Sequence, residues 1–266
     1  MKYLSKPTLL AVMLASAFSA TSAAYANQAS EPASPHMLTT NIGLFTDYTY
    51  RGISLARERG AVQGGIDYSH SSGFFLGAWG TNVEKNAFYG NTVEFDIYGG
   101  YVHKLADDLS MNVGFLSYFY PDSDRSVVNG YKGASPNTTE LNAAITYKYF
   151  TLKHSASVTD FFGNDFLGSG SSRGSGYTEL NVNYKLPVAD LNLLVHVGRL
   201  SVRNYYELNY TDWLLGVNKD FSIAGSTGWN AGVSYTTTNA DDGLYVDGKG
   251  WETGNDRLIG YIKRTF

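Results

Sequence analysis

The chain has 266 residues, with 20 basic and 24 acidic side chains, 43% hydrophobic residues, 29 glycines and no cysteine. The acidic balance argues against nucleic acid as a partner, and the lack of cysteine excludes disulfides and thiolate metal ligands. Tyrosine is abundant at 21 and proline scarce at six, a balance that suits strands with aromatic ends rather than a disordered chain.

At the N-terminus, Lys2 and Lys6 precede an apolar run over residues 9–18, and small residues then lead to Ala24-Tyr25-Ala26. This is the pattern of a secretory signal peptide, residues 1–26, cleaved after Ala26. Its removal leaves 18 basic and 24 acidic side chains, a net charge of −6. No later stretch approaches the roughly 18 uninterrupted apolar residues of a membrane helix. Residues 27–39, small and polar with two prolines, are expected to form a flexible periplasmic leader, and residues 40–266 a single folded unit.

From there the chain reads with a period of two. Strands are expected at 40–52, 61–69, 73–83, 92–105, 109–120, 139–148 and 150–159, then in the two arms of a hairpin over 177–197, then at 210–221, 228–237 and 256–266. The hairpin is the clearest case. Thr178, Leu180, Val182 and Tyr184 share one face, and Glu179, Asn181, Asn183 and Lys185 the other. Leu191, Leu193, Val195 and Val197 repeat the apolar face in the second arm. Each arm is about ten residues long, roughly the reach of a tilted strand across a bilayer.

The connections sort by parity. Those at 70–72, 106–108, around 149, 187–190 and 222–227 are short, and each is followed by a longer one, ending with 238–255. Tight turns at one end and long loops at the other are the mark of an outer-membrane barrel, whereas a soluble sandwich has no reason to sort its loops this way. The expected fold is therefore all-β, a transmembrane up-and-down antiparallel barrel of twelve strands, an even count as in bacterial barrels. Both ends of the sheet fall on the short-turn side, so the first and last strands can pair and remove the edge. Phe266, on the apolar phase of the last strand, is expected to address the chain to the barrel-assembly machinery. Arg264, on the same outward phase, departs from the usual aromatic and is expected to snorkel. Tyr48, Tyr50, Tyr68, Tyr184, Tyr206, Trp213 and Trp229 are expected to form outward aromatic girdles, and His154 is a misfit on the outward phase.

Several segments carry a family resemblance: 41–54 (NIGLFTDYTYRGIS), 63–83, DIYGGY at 96–101, TDFFG at 159–163 and YTDWLLGVNKDF at 210–221. They resemble the TorF-type porins of Gram-negative bacteria, which implies an outer-membrane location and a barrel architecture. The resemblance assigns no solute and no catalytic residue.

With the apolar phase outward, the inward charges are the pore-lining candidates: Asp47, Asp67, Glu94, Asp96, Glu140 and Glu179 among the acids, and Arg51, Lys104, Lys148, Lys153, Lys185 and Lys263 among the bases. Strand direction puts Glu94, Asp96, Glu140 and Glu179 toward the long loops and the lysines toward the turns. An acidic outer vestibule above a lysine-rich mouth would favour cations, unless these charges pair laterally. Twelve strands predict a narrow pore, with the loops at 121–138 and 238–255 as candidates to fold inward.

No catalytic, cofactor-binding or metal site is expected. Histidines stand beside serines at Ser69-His70 and His154-Ser155, without a G-x-S-x-G elbow. Asp241, Asp242, Asp247 and Glu252 miss calcium-loop spacing and read as a solvated loop. The pairs Gly64-Gly65 and Gly99-Gly100 open no helix and suit barrel bending. The expected function is passive diffusion of small hydrophilic solutes, with outer-membrane lipid as surroundings. The alternatives are a plugged barrel used as a surface binding or adhesion protein, or an outer-membrane lipid hydrolase.

Overall fold

The structure is a computed structural model and describes residues 34–87, 90–121, 123, 135–164 and 170–266. The signal peptide, residues 27–33 of the leader and most of the 121–138 connection lie outside the described residues.

Alternating side chains give each strand one apolar and one polar face, and a sheet with such strands can bury its polar face only by curling on itself. The wall comprises β1 (His36–Phe45), β4 (Ala61–His70), β5 (Phe74–Asn82), β6 (Val93–Ala106), β7 (Leu109–Phe119), β8 (Thr138–Tyr147), β9 (Phe150–Ser157), β10 (Gly176–Lys185), β11 (Leu191–Ser201), β12 (Tyr210–Ile223), β13 (Ser226–Thr238) and β14 (Arg257–Thr265). Each pairs antiparallel with its sequence neighbour, and β1 pairs β14, from Asn41 opposite Thr265 to Phe45 opposite Tyr261, to close the ring. The result is the expected twelve-stranded closed antiparallel barrel. Two short elements, β2 (Thr49–Tyr50) and β3 (Ile53–Ser54), form a separate hairpin off the wall.

The short connections are tight because their backbones permit it. Ala224 and Gly225 both have positive φ (49° and 80°), as do Ala189 and Asp190 (59° and 54°), the twist that matches paired strands. The outward face is apolar: Leu44, Leu141, Leu215 and Leu258 are 58%, 55%, 57% and 72% exposed. A belt of this kind around a closed barrel belongs against hydrocarbon. At the turn end, Arg264 is outward as expected, and its guanidinium lies 5.4 Å from the Trp229 ring and 4.3 Å from Phe266. His154 is outward too, so the register does not slip there; its Nδ1 lies 2.8 Å from Thr178 Oγ1 on the next strand.

Three expectations change. Residues 36–39 belong to β1 and pair with β4, His36 opposite His70, so the leader ends before them. The first strand does not run to Gly52 but leaves the wall after Phe45, because Asp47, Tyr48, Tyr50 and Arg51 find buried partners inside the barrel. For the same reason Tyr48 and Tyr50, 1% and 6% exposed, are interior and not part of a girdle.

Candidate functional site

The lumen is the site, and its loop-side half is closed by the chain's own first loop. Residues 46–60 turn into the barrel, with Arg51 and Gly52 at positive φ (50° and 82°) bending the β2–β3 hairpin. Gly52 sits against β12 and β13, where a Cβ would lie 2.4 Å from Thr238 Cγ2. A side chain there would therefore undo the bend.

Polar bonds tie this loop to the wall. One Arg51 Nη2 donates to both oxygens of Glu140, at 2.9 and 2.7 Å, and the guanidinium lies 4.1 Å from the Tyr177 ring centre. Glu94 accepts from the Tyr48 hydroxyl at 2.6 Å and from Tyr120 at 2.8 Å. Asp47 Oδ1 accepts from Ser54 Oγ and from the amides of Tyr48 and Glu58. Arg257 Nε stands 3.4 Å from Asp47 and 3.2 Å from Glu58, and its other nitrogens donate to carbonyls of Glu252, Thr253 and Asn255. Burial pushes the Asp47 carboxyl above the usual carboxylate range, against the opposing pull of Ser54, Glu58 and Arg257.

Around these bonds lies an aromatic core. Tyr50 and Tyr118 meet edge to face at 5.5 Å, and Phe162, at φ 44°, packs on both at 5.3 and 5.5 Å. The loop over 239–256 lies above: Asp247, buried, pairs with Arg57 at 3.1 Å and accepts from the Lys249 and Trp251 amides. This is the charged loop expected to be solvated, and Asp247 at least is engaged inward. The segment that fills the barrel is thus 46–60, whose first part, 46–52, was expected as strand.

Below the plug the wall turns polar. Tyr177 OH donates to Asp212 at 2.8 Å, with His196 Nε2 2.8 Å from the same carboxylate and His196 Nδ1 2.7 Å from Asn181 Oδ1. Lys153 pairs with Glu179 at 3.3 Å. An amide ladder follows, in which Asn218 Oδ1 accepts from Asn192 at 2.9 Å and from Asn230 at 3.2 Å, and Tyr261 OH donates to Asn230 Oδ1. Asp67 accepts from Tyr98 at 2.5 Å, and Lys263 is buried beside this wall. At the turn-side mouth Lys104, Lys148 and Lys185 pair with Asp107, Asp108 and Asp190 at 3.0, 3.9 and 3.4 Å, largely in solvent.

All twelve residues singled out from the sequence therefore lie in the lumen, in its plug or at its mouth. Glu94, Asp96 and Glu140 lie near the loops and Lys104, Lys148 and Lys185 near the turns, as read, whereas Glu179 and Lys153, assigned to opposite ends, face each other at one height on β10 and β9. Glu94 and Glu140, however, lie under the plug, and the mouth lysines pair locally. Sequence reading missed Tyr177, His196, Asp212 and Arg257, although the inward parity of β10, β11, β12 and β14 contained each of them. Among the described residues, no group of three or more His, Asp or Glu is placed to hold a metal ion.

Comparison with known proteins places the fold. A family model described as "Bacterial protein of unknown function (Gcw_chp)" matches residues 29–266. No curated protein matches the chain. Among solved structures, a KdgM porin superposes with a TM-score of 0.53 at 8% identity, covering 86% of this chain and 99% of that one. A NanC porin gives 0.51 at 11% identity, covering 86% and 99%. A KdgM porin in complex with disordered oligogalacturonate gives 0.50 at 8%, covering 86% and 98%. At such identities the likeness is one of architecture.

Proposed function

The chain belongs to the Gcw_chp family of bacterial proteins of unknown function, and from that premise we propose that it is an outer-membrane, porin-like channel. It would pass small hydrophilic solutes down their own gradient and rest closed at its loop end. The segments that resemble TorF-type porins and the barrel shared with KdgM and NanC porins support the location and the class. One observation carries the reading: a polar inner wall runs from the mouth lysines through the Asn192, Asn218 and Asn230 ladder up to a loop that is tied largely by side-chain bonds. A barrel with no traffic has no need of such a lining, since an apolar fill is at least as stable.

The lining also favours a solute class. Part of the lining charge is paired within the wall, as in Lys153 with Glu179 and Arg51 with Glu140, and amides and hydroxyls make up much of the rest. Small neutral solutes with many hydroxyls fit these best. A second reading, a permanently plugged barrel with a binding surface, is supported by the aromatic packing of Tyr50, Tyr118 and Phe162.

Planar-bilayer recording separates them. The intact barrel is expected to open rarely and briefly, and a variant with residues 47–59 replaced by a short glycine-serine link to conduct steadily. A silent wild type beside a conducting variant supports the plugged reading. A variant that inserts and passes no current overturns the channel proposal.

A further inference from the structure

Outside the lumen, we infer that the outward face at the loop-side rim of β9, β10 and β11 is a binding site for the phosphate group of an anionic membrane lipid. The inference rests on the membrane location proposed above.

The outer wall is largely apolar, and this sector carries a polar row that spans four strands. Register aligns His154, Thr178, Arg199 and Thr211 in one outward row across four strands. His154 bonds Thr178, and Arg199 Nη1 donates to Thr211 Oγ1 at 3.2 Å, so the row is polar from end to end. One step toward the loops stand Ala156, Gly176 and Ser201, again aligned, and all small. At the same end of the opposite wall the outward residues are Val62, Val93, Phe95 and Phe119, each at least 37% exposed.

Above the small residues opens a cleft of about 370 Å³ lined by Ser171, Arg173, Gly174, Arg203 and Asn204, among others. Arg203 lies across Gly174, whose φ of +89° and missing side chain leave room for it; a Cβ would sit 3.4 Å from its Nη1. Its guanidinium donates to the Arg173 main-chain carbonyl at 3.4 Å, and both residues line the cleft. Asp160 borders the cleft, but its Oδ1 already accepts from Ser171 Oγ at 2.5 Å and from the Arg173 amide.

The charge inventory points to a ligand. Elsewhere at the loop end Arg51, Arg57, Arg59 and Arg257 each face a carboxylate within 3.4 Å. Arg173, Arg199 and Arg203 form no ion pair among the described residues. Arg173 and Arg203 line the cleft and Arg199 stands on the outward row of the wall below it, and guanidinium forks match the oxygens of a phosphate. The patch faces outward at the rim of an apolar belt, the depth at which lipid headgroups lie, and the small residues beneath it leave room for an acyl chain. A lipid headgroup therefore fits better than a free anion.

Native mass spectrometry of the full mature chain released from detergent tests this, with diphosphorylated lipid A and its dephosphorylated form as probes. Wild type is expected to retain the phosphorylated lipid about tenfold better than the dephosphorylated one. The R173Q/R199Q/R203Q variant should lose that preference, and R173K/R199K/R203K should keep part of it. Equal retention of the two lipids, or an unchanged triple-Gln variant, overturns the site. Displacement of lipid by inorganic phosphate alone, or a persistent dimer that buries these arginines, overturns the lipid assignment in favour of a free anion or a second copy. Insertion into lipid vesicles is read separately: a chain that fails to insert refutes the membrane location, whereas one that inserts without phosphate preference refutes only this site.

Discussion

Arg51 enters the barrel on an inward-turning loop and delivers one nitrogen to both oxygens of Glu140, with the side chains of both residues no more than 4% exposed. A buried pair of this kind adds little over an apolar substitute, but removing one partner strands the other. Arg51→Ala should therefore lower unfolding stability by about 3–5 kcal/mol in urea titrations, and Arg51→Ala with Glu140→Ala by clearly less. Equal losses in the two variants would show that the pair does not hold the loop. Asp256, outside the wall, tests a weaker kind of contact. Hydrogen bonds from Thr237 and Tyr235 hold its carboxyl below the usual range. An NMR titration should place its midpoint below that of a free aspartate, and Thr237→Val with Tyr235→Phe should raise it back. An unmoved midpoint would deny those bonds any role.

Among the strands, inward tyrosines cover glycines on the neighbouring strand. Tyr98 lies over Gly77, Tyr177 over Gly198 and Tyr261 over Gly232, and a Cβ at Gly77 would come within 2.4 Å of the Tyr98 ring. The missing side chain lets the ring lie flat against the wall and its hydroxyl reach Asp67. Gly77→Val should displace Tyr98, break that bond and cost about 1–3 kcal/mol, measured by the urea midpoint at constant slope. A neutral outcome would mean the ring has room elsewhere. This pairing was not legible in the sequence, because it depends on which strands lie side by side and in what register. What was legible followed from local rules: the period of two set the strands and their faces, and residues such as Glu179 and Leu180 fell on the sides assigned to them. The inward loop was misread because TDYTYRG at 46–52 alternates like a strand, and only the buried partners of Asp47 and Arg51 show that it leaves the wall.

At the scale of the whole molecule, one closed sheet separates an apolar outer face, which the proposed channel sets against hydrocarbon, from a polar lumen, with residues 46–60 closing the lumen from the loop end. The chain contains no cysteine, so single cysteines placed one at a time report each environment without background. The most direct test is an accessibility scan along β12 in lipid vesicles, with spin labels at 213, 215 and 217 against 214, 216 and 218, read with oxygen and with a water-soluble paramagnet. The account predicts that oxygen reaches the odd positions and not the even ones, and that access of the water-soluble reagent to the even ones, first at 214 on the plug side, rises once residues 47–59 are deleted. Odd positions open to the water-soluble reagent, or even positions unaffected by the deletion, would contradict it.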